Sequence, residues 1–267
     1  MTAENWGLVA SLLLVLAIVF RGVALVQVRG QWALLTVGAR MGGMLALTAS
    51  LVLAAIAQGE WSPLDLRQIT LGLALATLIV YQALAWRFAV EAGAPVVGLV
   101  ALALLLTGIL AVRPGAAVLA CDQRSILFHV QWILSLLGAG GAVVAGSAGV
   151  TLALRAVTTS RDWDLQWPRR IDLQLFVGEA TLLALVALGG GLVAGMGRAW
   201  WTLGTVAGDD PRVAWFAATW LLAAASALAR YLPERRGRWA AGLAVTAAVS
   251  AIFGLVFLGD VRHLLGM

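Results

Sequence analysis

The amino-acid sequence predicts an all-α protein, a polytopic bundle of about eight transmembrane helices. Of its 267 residues, 62% are hydrophobic and only 12% are charged, against roughly 25% charged residues in globular proteins. So few charges could not cover the surface of a soluble fold of this size. Eight helices of about 20 residues would use about 160 positions, which leaves connections too short for an extramembrane domain. We therefore expect residues 1–267 to form a single transmembrane domain.

Eight apolar runs follow one another along the chain, each close to the length that crosses a bilayer. They cover residues 7–27, 33–57, 69–90, 95–112, 126–154, 173–196, 213–231 and 239–260. Six prolines fall in six different segments between these runs: Pro63, Pro95, Pro114, Pro168, Pro211 and Pro233. A residue without a backbone N–H belongs in such segments. Only the connection between the first two runs lacks a proline, so it is the least clearly marked boundary.

Arginine sets the expected orientation, because the sequence contains no lysine. Twelve arginines lie in or beside the odd-numbered connections, namely Arg21, Arg29, Arg40, Arg87, Arg155, Arg161, Arg169, Arg170, Arg230, Arg235, Arg236 and Arg238. The even-numbered connections and the C-terminal tail hold the other six, namely Arg67, Arg113, Arg124, Arg198, Arg212 and Arg262. Cytoplasmic loops carry the excess of basic residues. We expect both termini to face outward, in a multi-pass protein of the cytoplasmic (inner) membrane.

The basic residues indicate topology rather than nucleic-acid binding. The net charge is +5, but the arginines are spread over several connections, without a basic cluster or an RNA or DNA motif. No Walker loop, dinucleotide fingerprint, serine-nucleophile elbow or metalloprotease helix is present, so the sequence gives no basis for soluble-enzyme chemistry. Cys121 is the only cysteine and cannot form an internal disulfide. Membrane lipid is the expected surrounding, and no nucleic-acid partner is expected.

The two histidines of the chain are expected on the same, outward side of the membrane. His129 lies near the start of the fifth run, and His263 follows the eighth. Between them, the connection after the sixth run carries Trp200 and Trp201. Two neutral imidazoles can ligate a haem iron from opposite sides, and aromatic rings can lie against the porphyrin. The alternative is that these histidines and tryptophans are interfacial anchors, which most membrane proteins carry at this depth.

Three segments resemble the cytochrome c assembly (CcsA-like) family of membrane proteins. Residues 210–221 read Asp-Pro-Arg-Val-Ala-Trp-Phe-Ala-Ala-Thr-Trp-Leu, similar to the family's Asp-Pro-x-x-x-Trp-x-x-x-Thr-Trp-Leu. Residues 234–239, Glu-Arg-Arg-Gly-Arg-Trp, are similar to its basic turn, and a final apolar run and a histidine follow. Residues 127–130, Leu-Phe-His-Val, resemble the histidine-valine opening of a family span. The resemblance covers roughly residues 69–267.

The resemblance implies a role in cytochrome c biogenesis, with b-type haem presented at the outward face. Carried over by motif, His129 and His263 match the two outward histidines that hold the iron, and Asp210 matches the aspartate that closes the tryptophan-rich loop. Trp200 and Trp201 would then contact the cofactor. The implied partners are another cytochrome c biogenesis subunit or apocytochrome c. Enzymatic activity, if present, would be that of a haem-attachment component.

The tryptophan-rich loop departs from the family pattern. Where haem-handling members carry Trp-x-Trp-Asp, residues 207–210 read Ala-Gly-Asp-Asp. In addition, none of the predicted spans contains a deep histidine. Compact HemX-like members of the family have about this length and also depart from the loop pattern. The alternative function is therefore a haem-free, HemX-like regulatory or assembly subunit.

Glu179 is the acidic residue well inside a predicted span, about two turns from the cytoplasmic start of the sixth run. An ionisable group at that depth is costly and is functional by default. It would act as a proton relay or as the coupling residue of a small-molecule transporter, the second alternative function. The structural interpretation is a glutamate that reaches the inner interface near Arg169 and Arg170.

Small residues at four-residue spacing indicate close helix packing. Gly141, Ala145 and Gly149 follow this spacing in the fifth run. Small side chains let transmembrane helices approach closely, since lipid gives no hydrophobic force between them. The same surface could receive a flat ligand, but packing is the main expectation.

Overall fold

The computed structural model describes residues 2–26, 30–58, 65–88, 94–110, 126–159, 169–204, 211–231 and 237–264, without the side chains of 30, 58, 159, 202–203, 211–212 and 256–264. Within these ranges the chain forms eight α-helices: α1 (Ala3–Val26), α2 (Gly30–Gln58), α3 (Leu66–Phe88), α4 (Ala94–Leu110), α5 (Ile126–Thr159), α6 (Arg170–Leu203), α7 (Pro211–Ala229) and α8 (Arg238–Leu264). The predicted all-helical fold is confirmed, and the helices correspond in order to the eight apolar runs.

Six of the helices in the described ranges are long and apolar enough to cross a membrane: α1, α2, α3, α5, α6 and α8. The apolar stretches of α4 and α7, residues 94–110 and 213–229, are shorter. The α4 helix has 17 residues and spans about 26 Å, and the α7 helix has 19 residues and spans about 29 Å, against a hydrocarbon core about 30 Å thick. The protein is therefore a membrane-embedded helical bundle, with six full-length helices and two slightly short ones.

Neighbouring helices run in opposite directions, which defines the two ends of the bundle. The hydroxyl of Ser50, near the end of α2, donates a hydrogen bond to the carbonyl of Ala3 at 2.8 Å. Arg67, at the start of α3, lies 3.8 Å from the carboxylate of Glu4. Odd-numbered helices thus begin where even-numbered helices end. We name this the His129 end, and we name the opposite end, where α6 begins, the Arg170 end.

The helices form two closed rings of four. In the first ring, α1 packs on α2, α2 on α3, α3 on α4, and α4 returns to α1. In the second, α5 packs on α6, α6 on α7, α7 on α8, and α8 returns to α5. The rings meet mainly where α3 packs on α5, and both of these helices are largely buried. Helices α3 and α5 therefore form the centre of the molecule.

Glycines let α5 approach three other helices closely. A Cβ atom at Gly141 would lie 3.1 Å from the backbone of Ala184 in α6. A Cβ at Gly149 would lie 3.0 Å from the carbonyl oxygen of Ala241 in α8. The close-packing interpretation of this small-residue spacing is confirmed, because such distances leave no room for larger side chains or for a flat ligand.

Gly140→Ala is expected to destabilise the junction between the two rings. Its Cβ would lie 2.9 Å from the backbone carbon of Ala76 and the nitrogen of Thr77 in α3. Overpacking of this kind costs about 1–3 kcal/mol, more than the gain of about 1 kcal/mol in helix propensity from glycine to alanine. The measurement is the midpoint of thermal unfolding in detergent.

Gly242→Ala is the matched control, since a Cβ there meets no atom within 4 Å. Its midpoint should equal or slightly exceed that of the wild type. Equal midpoints for the Gly140→Ala and Gly242→Ala variants would contradict the close approach of α3 and α5.

Candidate functional site

His129 lies in the first turn of α5, within an aromatic cluster at the His129 end. Its side chain is half-buried, and its ring stands at 89° to the neighbouring Phe128 ring, 5.8 Å between centroids. Phe128 and Trp132 are both buried, with ring centroids 6.2 Å apart. The Arg198 guanidinium of α6 lies over the Phe128 ring, 5.1 Å from its centroid. An imidazole and a cation thus share this end of the bundle.

The other histidine lies on a neighbouring helix at the same end. The backbone of α8 continues to Leu264, so His263 is in its last turn; its side chain is not among those described. Gly146 faces Ala244 and Ala248, and the two helices are antiparallel. Gly146 is therefore level with the middle of the stretch from Ala244 to Ala248. From this level toward the His129 end, the same number of residues leads back to His129 along α5 and forward to about residue 263 along α8. The two histidines therefore lie at about the same level.

Trp200 and Trp201 belong to the end of α6 and not to a loop, which differs from the prediction. The helix continues to Leu203 and stops at Gly204, whose φ of 67° ends the helix and whose N–H donates to the Trp200 carbonyl at 3.0 Å. No proline lies between the start of α6 and Gly204, so nothing blocks the helix from continuing past the apolar run. Trp200 is 60% and Trp201 86% exposed. Such exposure is typical of interfacial tryptophans.

The tryptophans also lie nearer the tip of the His129 end than His129 does. Ser135 faces Gly191, and Gln131 faces Gly195 across the antiparallel contact of α5 with α6. The same spacing places His129 level with about residue 197, so Trp200 lies roughly one helical turn beyond it. Asp210 and Cys121 lie outside the residues that the structure describes.

The tryptophans and the threonine of the 210–221 segment hold α7 in place. The indole N–H of Trp215 donates to the carbonyl of Ser250 in α8 at 2.7 Å, and the Thr219 and Ser250 hydroxyls are 2.8 Å apart. The indole N–H of Trp220 donates to the carbonyl of Leu185 in α6 at 3.0 Å. The side chains of this motif therefore have a packing role, which the sequence pattern alone did not reveal.

Glu179 lies in α6, in the half of the helix nearer the Arg170 end, and its side chain is half-buried. Beside it, Gly178 is in direct contact with the Arg230 guanidinium. Arg230 and Gln174 line a cavity of about 290 Å³ between α5, α6 and α8, and Glu179 is not among its lining residues. A coupling role for Glu179 stays a prediction from sequence.

Arg40 lies well inside α2, so its predicted position in or beside the first connection is wrong. It is the eleventh residue of α2 and is only 3% exposed. Its Nε donates to the side-chain oxygen of Gln82 in α3 at 2.7 Å, and its guanidinium lies 4.9 Å from the Tyr81 ring centroid. The signal was present in the sequence, because the apolar run 33–57 continues on both sides of this arginine.

The described residues contain no group of three or more histidine, cysteine, aspartate or glutamate side chains that could hold a metal ion. No protein-family model matches the chain, and no curated protein matches its sequence. The resemblance to the cytochrome c assembly family therefore stays a prediction from the quoted motifs.

Proposed function

We propose that the protein handles haem in cytochrome c biogenesis, as a multi-pass protein of the cytoplasmic membrane. His129 and His263 would hold a b-type haem at the outward face. The observation that carries the proposal is the common level of these two residues on the adjacent helices α5 and α8. They are the only histidines in 267 residues, and neutral imidazole is a common axial ligand of haem iron.

The surroundings of His129 suit such a cofactor. Haem combines an apolar ring with two carboxylates. The buried Phe128 and Trp132 rings form an apolar base beside His129, and Arg198 supplies a cation next to them. A carboxylate pairs well with an arginine at a partly exposed site. When bound, haem would supply the vinyl groups for attachment to a partner such as apocytochrome c, while the protein residues hold and orient it.

The test is an absorption spectrum of the protein purified in mild detergent from cells supplied with haem. The wild type is expected to show a haem Soret band typical of two histidine ligands. His129→Ala and His263→Ala should each shift this band or abolish it. Gln131→Ala, a change two residues from His129 that leaves both imidazoles, should keep it. A colourless wild-type protein, or a band unchanged in both histidine variants, would refute haem ligation.

A haem-free, HemX-like regulatory or assembly subunit is the second candidate. It is favoured by the exposure of Trp200 and Trp201 and by their position about one helical turn beyond the level of His129. In this case the purified protein is colourless, but deletion of its gene changes the cellular levels of haem or of c-type cytochromes. Unchanged levels in the deletion strain would argue against it.

A further inference from the structure

Arg40 lies inside the first ring of helices, at a cavity to which all four helices contribute. Along the helix axis, Arg40 is about 15 Å from the start of α2. The cavity has a volume of about 10 Å³. Its wall includes Ile18 of α1, Thr36 of α2, Tyr81 of α3 and Gly98 of α4, and none of its lining residues is acidic.

The hydrogen bonds of this guanidinium are incomplete. Arginine has five N–H donors and stays charged in proteins. The Nε–H of Arg40 donates to Gln82, and the Tyr81 ring faces the guanidinium carbon. Both terminal nitrogens, Nη1 and Nη2, are buried without a hydrogen-bond partner. Four N–H groups and a full positive charge therefore face the interior of a membrane-embedded ring.

A buried charge of this kind requires compensation. Removing an ion from water costs several kcal/mol even after relaxation of the protein, and the side-chain oxygen of Gln82 is only a dipole. A water molecule in the cavity would accept hydrogen bonds but would add no negative charge. A cavity of this volume holds about one particle of the size of a water molecule, so phosphate, sulfate and carboxylates are too large.

We propose that the Arg40 cavity binds a single monatomic anion of the size of chloride. The anion accepts hydrogen bonds from Nη1 and Nη2 and neutralises the guanidinium, while the Tyr81 ring and the Gln82 amide hold the guanidinium from its other sides. This site lies in the first ring and is independent of the histidines at the His129 end.

The experiment measures the midpoint of thermal unfolding of the purified 267-residue protein in detergent, starting from protein dialysed extensively into gluconate. Chloride is then added back at constant ionic strength. Because a ligand of the folded state stabilises by mass action, the wild-type midpoint should rise by about 3 °C for each tenfold increase in chloride above the Kd. Sulfate should give no rise, since it does not fit the cavity.

Two variants separate this site from general salt effects. Gln82→Glu places a carboxylate beside Arg40 as an internal counterion, so it should fold and lose the chloride-dependent rise. Arg67→Gln removes a partly exposed arginine at the His129 end and should keep the rise. Equal wild-type midpoints in chloride and gluconate, an equal rise with sulfate, or a full rise in the Gln82→Glu protein would each overturn the proposal.

Discussion

In a Tyr81→Ala variant, the free energy of unfolding is expected to fall by about 3–5 kcal/mol, the range for loss of a large buried aromatic side chain. Tyr81 is 0% exposed. Its ring packs against Phe176 of α6, with 5.9 Å between centroids, and faces the Arg40 guanidinium. The substitution thus opens a cavity where the two rings of helices meet and also removes a cation–π contact of up to about 2 kcal/mol.

The thermal midpoint in detergent, with the loss of monodisperse protein after heating, measures this effect. Tyr81→Phe is the matched control, because it keeps the ring contacts with Arg40 and Phe176 and removes only the hydroxyl. We expect the phenylalanine variant to lose much less stability than the alanine variant. Similar losses in both would assign the effect to the hydroxyl and would contradict the packing argument.

Gln82→Leu is expected to cost about 3–5 kcal/mol, since it removes the one hydrogen-bond acceptor of Arg40 within the described residues and leaves a buried charge without a partner. Leucine has nearly the volume of glutamine, so the packing loss is small. The same thermal measurement applies, in a chloride-free buffer where no added anion can compensate.

A double variant, Arg40→Met with Gln82→Leu, tests the cause. Replacing a buried polar pair by apolar residues of similar volume is often neutral or stabilising. The double variant should therefore be more stable than Gln82→Leu alone. If both proteins unfold at the same temperature, the penalty does not come from the uncompensated charge of Arg40.

The fold was largely predictable, because long apolar runs in a membrane form helices and have few alternatives. Proline and glycine mark about half of the helix ends, and Pro95 and Pro211 lie in the first turns of α4 and α7, where proline is favoured. The end of α6 was not predicted. Its last residues include Trp200 and Trp201, where the mean hydropathy of the sequence drops although the helix continues to Leu203.

The candidate site was predictable only in part. The shared end of His129 and His263 follows from counting spans, and their common level needs the helix register that glycine contacts supply. The buried position of Arg40 was missed because every arginine was used to assign the two sides of the membrane, and Arg40 was counted with those of the first connection. Its hydrogen-bond partner, Gln82, is 42 residues away in sequence. A contact between two helices at that separation leaves no local pattern.

The closed ring of α1 to α4 has a consequence for biosynthesis. Every residue that lines the Arg40 cavity lies at or before Gly98, and chains are made and folded from the N-terminus. The cavity is therefore complete in the chain before α5 leaves the ribosome. Arg40 can therefore meet its counterion before the second ring of helices has been made.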